Sequence, residues 1–260
     1  MSRPGKKHAA AFQTKGLHLL IYHLVLTSSM LSAASVSRGQ SVTVTGKFEL
    51  TDKAAPRRED LTNAVVWLTS VAETGDPGQR RNSHSQPRFQ LVQKNKSFSP
   101  HVLVVQVGAP VEFPNRDPFF HNVFSLFEGK RFDLGLYEAG STRTVVFDRP
   151  GISYIFCNIH GEMSAVVIAL KTPYYGLSDR KGAITIPAVP TGRYEVHVWD
   201  ERALPEDLGA LTRTLDMSES AHSLGVFRLT EHRSLLLNHK NKYGQDYENP
   251  TPAVPVYVRP

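Results

Sequence analysis

Residues 152–170 read ISYIFCNIHGEMSAVVIAL. Two apolar runs rich in β-branched and aromatic residues flank a short polar loop, which predicts strands at 152–157 and 163–170 joined by a tight connection. The loop carries Cys157, His160 and Met163, and Cys157 is the only cysteine among 260 residues. Alone, each has a commoner reading: an inert buried thiol, a surface imidazole, a core thioether. Together on one turn, all three side chains can face a common point.

The β texture continues upstream. FQLVQ (89–93), HVLVVQV (101–107), APVEFP (109–114), HNVFSLF (121–127) and STRTVVFD (141–148) are predicted strands. Gly108, Asn115-Arg116-Asp117-Pro118, Gly129, Gly140 and Pro150-Gly151 supply the turns. Further out, SVTVTGKFEL (41–50) alternates Val42, Val44, Phe48 and Leu50, and NAVVWLTS (63–70) follows. Beyond residue 171, Ile184 and Ile186, then Tyr194, Val196 and Val198, alternate again, with LTRTLDM (211–217) and LGVFRLT (224–230) behind them. Helical periodicity is nearly absent, so the chain is all-β, of sandwich or barrel type. The polar stretch at 72–87 reads as an exposed linker, and the proline-rich end, 236–260, as an extended tail.

Arg3, Lys6, Lys7 and Lys15 form a basic leader without an acid, followed by the apolar run from Leu17 to Leu26 and by Ser32 and Ala34. The run is shorter than the about 20 residues that cross a bilayer. A secretory signal peptide over residues 1–34 is expected, with a periplasmic or secreted protein and no membrane span after its removal. Kept uncleaved, the same segment would serve as an anchor. Four of the 30 Lys and Arg lie there, leaving 26 against 24 acids, so the formal charge falls from +6 to +2. With no basic patch interleaved with aromatics, nucleic acid is not an expected partner. One cysteine in an exported chain forms no internal disulfide.

A fourth group for the loop comes from elsewhere, and His121, after the turn NRDPFF, is the natural candidate. Two His, one Cys and a weak axial Met form the ligand set of a blue-copper site. Structural zinc favours additional Cys or His. A dinuclear copper site needs a second Cys, and a thiol protease needs an oxyanion hole and an orienting residue.

The segment from Arg88 to Leu170 resembles the cupredoxins, most closely their plastocyanin- and amicyanin-like members. The matching pieces are Phe98-Ser99-Pro100, Val107-Gly108, Val111-Glu112-Phe113 with Asn115, His121-Asn122-Val123, and Cys157, His160 and Met163 at three-residue spacing. The resemblance implies a Greek-key β-sandwich holding one mononuclear type 1 copper ion. His121, Cys157 and His160 would be its strong ligands and Met163 its axial one. Asn122 would tie the His121 strand to the Cys157 loop. Gly161 replaces the proline after the loop His, and Asn158 stands where Ser or Thr often follows the Cys. His160 would be the electron's exit, with Phe119 and Phe120 on the docking surface. His101 reads as structural and Glu162 as a solvated loop residue.

Residues 174–230 resemble carboxypeptidase-regulatory-like domains, which are small transthyretin-like sandwiches. The resemblance rests on Ser178-Asp179 with Gly182, Ile184 and Ile186, and on Val189-Pro190 with Gly192-Arg193-Tyr194-Glu195-Val196. The opening strands of such a domain are missing before Tyr174 but present at 41–50 and 63–70. The expected organisation is therefore a cupredoxin domain (84–171) inserted into a transthyretin-like sandwich (36–80 and 172–235), with the tail at 236–260. A tandem arrangement, with everything up to Leu170 as one cupredoxin, is the alternative. The implied function is single-electron transfer with a transient redox partner such as a c-type cytochrome or a dehydrogenase, and not an enzyme's reaction. The alternative is a copper carrier or sensor that transfers no electrons.

Overall fold

The alternation of Val44, Phe48 and Leu50 appears in β1 (Ser41–Thr51), where all three side chains are buried on one face. The computed structural model describes residues 40–51, 60–72, 88–126, 128–232 and 240–247, all within one compact unit. The signal peptide expected at 1–34, most of the 72–87 linker and the ends of the expected C-terminal tail lie outside the described residues.

β2 (Val65–Ser70) is followed by a run of short strands: β3 (Phe89–Gln90), β4 (Val92–Gln93), β5 (Phe98–Ser99), β6 (Val102–Gln106) and β7 (Ala109–Pro114). Then come β8 (His121–Ser125), β9 (Phe132–Tyr137), β10 (Thr142–Phe147), β11 (Gly151–Cys157) and β12 (Ser164–Leu170). The last strands are β13 (Tyr175–Leu177), β14 (Ala183–Pro190), β15 (Gly192–Trp199), β16 (Arg213–Met217) and β17 (Ser223–Thr230). A short helix, α1 (Pro205–Ala210), lies between β15 and β16. Among the described residues the chain is all-β apart from it.

One sandwich packs the sheet β14-β1-β17 on the sheet β13-β2-β15-β16. β1 runs antiparallel to β14 and parallel to β17, and β2 lies antiparallel to β13 and β15. Phe48, Leu68, Ile184, Ile186 and Phe227 fill the space between the sheets. Burying one such side chain fully contributes about 1.5–3 kcal/mol. The join of β1 to the β14 turn requires Gly182, whose φ is +79° and whose N–H donates to Asp179 O. A Cβ there would collide with the Phe48 carbonyl, and the Gly182 carbonyl accepts the Phe48 N–H at 2.7 Å.

The second sandwich packs β10-β7-β3 on the five-stranded sheet β6-β12-β11-β8-β9. Its core contains Leu91, Val111, Phe113, Val123, Tyr137, Ile155 and Val167, together with Cys157 and Met163. β12 is apolar at nearly every position because both of its faces are covered. Ala165, Val167 and Ala169 face this core, while Val166, Ile168 and Leu170 join Val102, Val104, Val65 and Trp199 in a third cluster. β2 is shared in the same way, with Val66 and Leu68 in the first core and Val65 in the seam. The two sandwiches therefore meet face to face along β2 and β12.

Candidate metal centre

Antiparallel pairing of β11 with β8 sets Cys157 opposite Val123 and Phe156 opposite Phe124. The end of β11 thus lies beside the start of β8, where His121 sits. The hairpin from β11 to β12 closes through a Cys157 N–H to Met163 O bond (3.3 Å) and a Met163 N–H to His160 O bond (3.1 Å). The Asn158 N–H donates to Asn122 O at 2.8 Å, fastening the loop to β8.

The three polar side chains then converge. Cys157 Sγ lies 3.6 Å from Nδ1 of His121 and 3.6 Å from Nδ1 of His160. All three donor atoms fall within 4.8 Å of one another. A metal bound at about 2.3 Å from sulfur and about 2.0 Å from nitrogen, at tetrahedral to trigonal angles, sets S···N separations near ~3.5–3.7 Å. The donor atoms stand at that spacing, so the residues fit a single soft or borderline cation. Cys157 and His121 are wholly buried, and His160 is half-buried. Met163 is wholly buried in the same core cluster as Cys157.

The ring of His121 is oriented from behind. Its Nε2 lies 2.9 Å from Oδ2 of the buried Asp117. Asp117 also accepts N–H bonds from Asn95 (2.6 Å) and Lys96 (3.0 Å), and its own N–H is held by Asn115 Oδ1. Burial opposes ionisation of Asp117, yet these N–H groups and His121 outweigh it and hold the carboxyl below its usual range. An ionised Asp117 accepts the Nε2 proton, which turns the Nδ1 lone pair toward Cys157.

Burial pushes the Cys157 thiol up, but His121 and the N–H groups of Asn122, Ile159 and His160 overcome it and lower its pKa. His121 is shifted the opposite way: burial favours the neutral ring, and Cys157 and Asp117 together raise its pKa above the ordinary value. His160 is lowered, by burial first and then by His121 and Lys96. The Cys157 and His121 shifts are those of a thiol and an imidazole that stabilise each other's charged forms.

Asn122 ties the His121 strand to the Cys157 loop through its backbone rather than its side chain. Its side-chain Nδ2 donates to Asp133 Oδ1 at 2.6 Å, and its backbone carbonyl makes the tie to the loop. Phe119 packs on both imidazoles, with ring centroids 5.3 Å from His121 and 5.5 Å from His160. Phe120 and Ile159 are exposed beside them. His101 stands apart, bonded to Ser164 O and Glu201, and Glu162 is exposed. Sequence reasoning missed Asp117, which reads as an ordinary turn residue of NRDP. Its position four residues before His121 was the available signal.

No family model matches the sequence, and no curated protein matches it. Among solved structures, the chain is similar to a purple cupredoxin from Nitrosopumilus maritimus, with 23% identity, TM-score 0.29, and coverage of 32% of this chain and 99% of that one. A copper-containing nitrite reductase from Thermus scotoductus matches at 23% identity and TM-score 0.32, over 34% of this chain and 23% of that one. A reduced Cu(I) form of an amicyanin variant matches at 18% identity and TM-score 0.31, over 34% of this chain and 87% of that one.

Proposed function

We propose that this chain is a periplasmic or secreted blue (type 1) copper protein that carries single electrons between protein partners. The observation behind this reading is the convergence of Cys157 Sγ with the Nδ1 atoms of His121 and His160 at metal-ligand spacing. Those three residues would hold one copper ion, with Met163 of the same buried cluster as a weaker fourth ligand, a donor set suited to copper more than to zinc. The bound ion supplies a one-electron couple between Cu(I) and Cu(II).

The chain's own residues supply the rest. Asp117 holds the His121 ring so that Nδ1 faces inward. The N–H groups of Asn122, Ile159 and His160 offset charge on the sulfur. Binding a cation here releases the proton that the thiol and imidazole otherwise keep. Ligands fixed by β8, β11 and a hydrogen-bonded loop move little when the charge at the site changes. Half-buried His160 is the exit for the electron, and Phe119, Phe120 and Ile159 form an apolar surface around it. Phe120 is 51% and Ile159 46% exposed, which suits a small, transient redox encounter. In this reading the chain is a carrier, not an enzyme.

The flanking sandwich is proposed to be a transthyretin-like, carboxypeptidase-regulatory-like module interrupted by the copper-binding one. The pairing of β1 and β2 with β13, β14, β15 and β17 across residues 88–170 supports that reading.

Titrating Cu(II) into the purified protein tests the proposal. The expected result is one ion per chain and an intense visible thiolate-to-copper band, absent in Cys157→Ala. A colourless protein without copper affinity overturns it. Reversible reduction by a c-type cytochrome separates an electron carrier from a copper carrier or sensor, which binds the ion without passing electrons.

A further inference from the structure

Asn158 and Gly161 are the positions where the loop departs from the ligand loops it resembles, and both meet the same distant segment. Where the sequence suggests an extended tail, residues 240–247 fold into a turn. Asn241 Oδ1 accepts the N–H groups of Tyr243 and Gln245 at 3.0 Å each, and Gly244 N–H donates to Asn241 O at 2.9 Å. This turn lies on the Cys157–Met163 loop. Lys242 N–H donates to Asn158 Oδ1 at 2.9 Å, and the Tyr247 hydroxyl donates to Cys157 O at 2.7 Å.

The contacts close on themselves. Lys242 Nζ reaches Asp133 Oδ2 at 2.8 Å, and Asp133 Oδ1 accepts Asn122 Nδ2 at 2.6 Å. Asn122 O accepts the Asn158 N–H at 2.8 Å, and Asn158 Oδ1 accepts Lys242 N–H, completing a ring. A Ser or Thr hydroxyl at 158 stands one bond closer to the backbone than an Asn amide oxygen, so the longer side chain provides the reach.

Gly161 is explained by the same segment. Its backbone is outside the left-handed region, so its dihedrals do not demand glycine. A Cβ at 161, however, would stand 2.9 Å from Tyr247 Cγ and 3.0 Å from Cδ2, inside ordinary carbon contact. The tyrosine ring, not the backbone, requires glycine at this position.

We infer that residues 240–247 are a clamp on the ligand loop, with Tyr247 and Lys242 as positioning residues that hold Cys157 and Asn158 in register with β8. The clamp is a property of the metal-free chain; its effect on copper rests on the function proposed above. Because Cys157 is wholly buried, reaction of its thiol requires the loop to open, and the opening rate reports the clamp directly.

The test uses the metal-free full-length protein and reads two quantities: alkylation of Cys157 by iodoacetamide and amide hydrogen exchange of residues 158–163. Tyr247→Phe keeps the ring over Gly161 and removes one hydrogen bond. It is expected to accelerate both about two- to tenfold, as loss of one bond predicts, with the melting temperature of the whole chain unchanged. Gly161→Ala is expected to displace the ring and accelerate both at least as much. Adding Tyr247→Ala to Gly161→Ala should open the loop no faster than Tyr247→Ala alone, because the methyl then has room. Unchanged loop opening in Tyr247→Phe and Gly161→Ala, or additive effects in the double variant, overturns the clamp. With copper bound, Tyr247→Phe should also shift the thiolate-to-copper band and the reduction potential. A chain that binds no copper yet shows the accelerated opening keeps the clamp and loses the copper reading. A blue chain whose loop opening ignores Tyr247 does the reverse.

Discussion

Among the described residues, each sandwich buries a charged cluster, and the two are built to opposite ends. In the first, Arg202 is 7% and Asp200 1% exposed. Arg202 Nε and Nη2 bond Asp200 at 2.8 and 2.6 Å, and its Nη1 and Nη2 reach the carbonyls of Asp60 and Thr62 at 3.3 and 3.1 Å. Every charge there is answered by a protein partner, and the guanidinium joins the loop before β2 to the end of β15. In the second, Asp117 and His121 are equally buried, but the chain of bonds from Asp117 through His121 ends on Cys157, facing the Nδ1 of His160. Three electron-rich atoms within 4.8 Å of one another need a cation among them, a proton or a metal. The difference is one between a staple, complete in itself, and a cluster that, on the function proposed above, a metal ion would complete.

Two substitutions break the comparison, and their effects should cross. Cys157→Ala is expected to abolish copper binding in a titration followed by visible absorbance. It should cost the metal-free chain only about 1 kcal/mol, since a small buried atom is lost. Arg202→Met should do the opposite. It leaves Asp200 buried without its partner, which costs about 3–5 kcal/mol by denaturant titration, while copper affinity of the folded fraction stays unchanged. If Arg202→Met weakened copper binding and left stability intact, the staple reading would fail.

The sequence made this contrast only half visible, and the reason is physical. Strands β7, β8, β11 and β12 could be read because β-branched and aromatic residues alternate or, in a strand covered on both faces, run continuously. Cys157, His160 and Met163 were readable because one loop holds all three. β9 was not. Phe132 and Leu134 face the core, but at Gly135, with φ +66°, the phase changes, so Leu136 is 60% exposed and Tyr137 buried. The register with β8 shifts between Asn122 and Phe124, and an alternation search passes over such a bulge. The clamp was hidden for another reason: its bonds join residues 84 and 90 positions apart, and nothing local in NKYGQDY announces them. Asp200 and Arg202 look like surface charges until the fold buries them.

Asp117 sharpens the comparison because it separates an anion that completes a pair from one that would orient a ligand. Asp117→Asn retains the shape but removes the charge that holds the His121 Nε2 proton. A partner behind a metal-binding His is typically worth about 10–100-fold in metal affinity, and a loss in that range is expected in competition with a copper chelator. A loss below about threefold would return Asp117 to the status of a turn residue held by Asn95 and Lys96.

The smallest expected effect lies at the seam between the two sandwiches, where His101 and Glu201 meet. His101 Nε2 is 2.7 Å from Glu201 Oε1, and its Nδ1 is 3.2 Å from Ser164 O, so the doubly protonated ring can donate to both. Glu201 raises the His101 pKa above 6.5, partly opposed by burial. A folded-state pKa above the unfolded one makes the stabilisation complete below about pH 6.5 and removes it as the pH climbs through the raised value. The side chain is 33% exposed, so solvent screening keeps the contribution under about 1 kcal/mol. Melting temperatures of the parent and His101→Gln should therefore differ most near about pH 5.5 and converge by about pH 9. The blue band should remain in both throughout, because this ion pair lies on the seam, apart from the ligand loop. A difference that stays constant across that range would mean that His101 contributes by packing, and that charge at the seam does not distinguish it from either buried cluster.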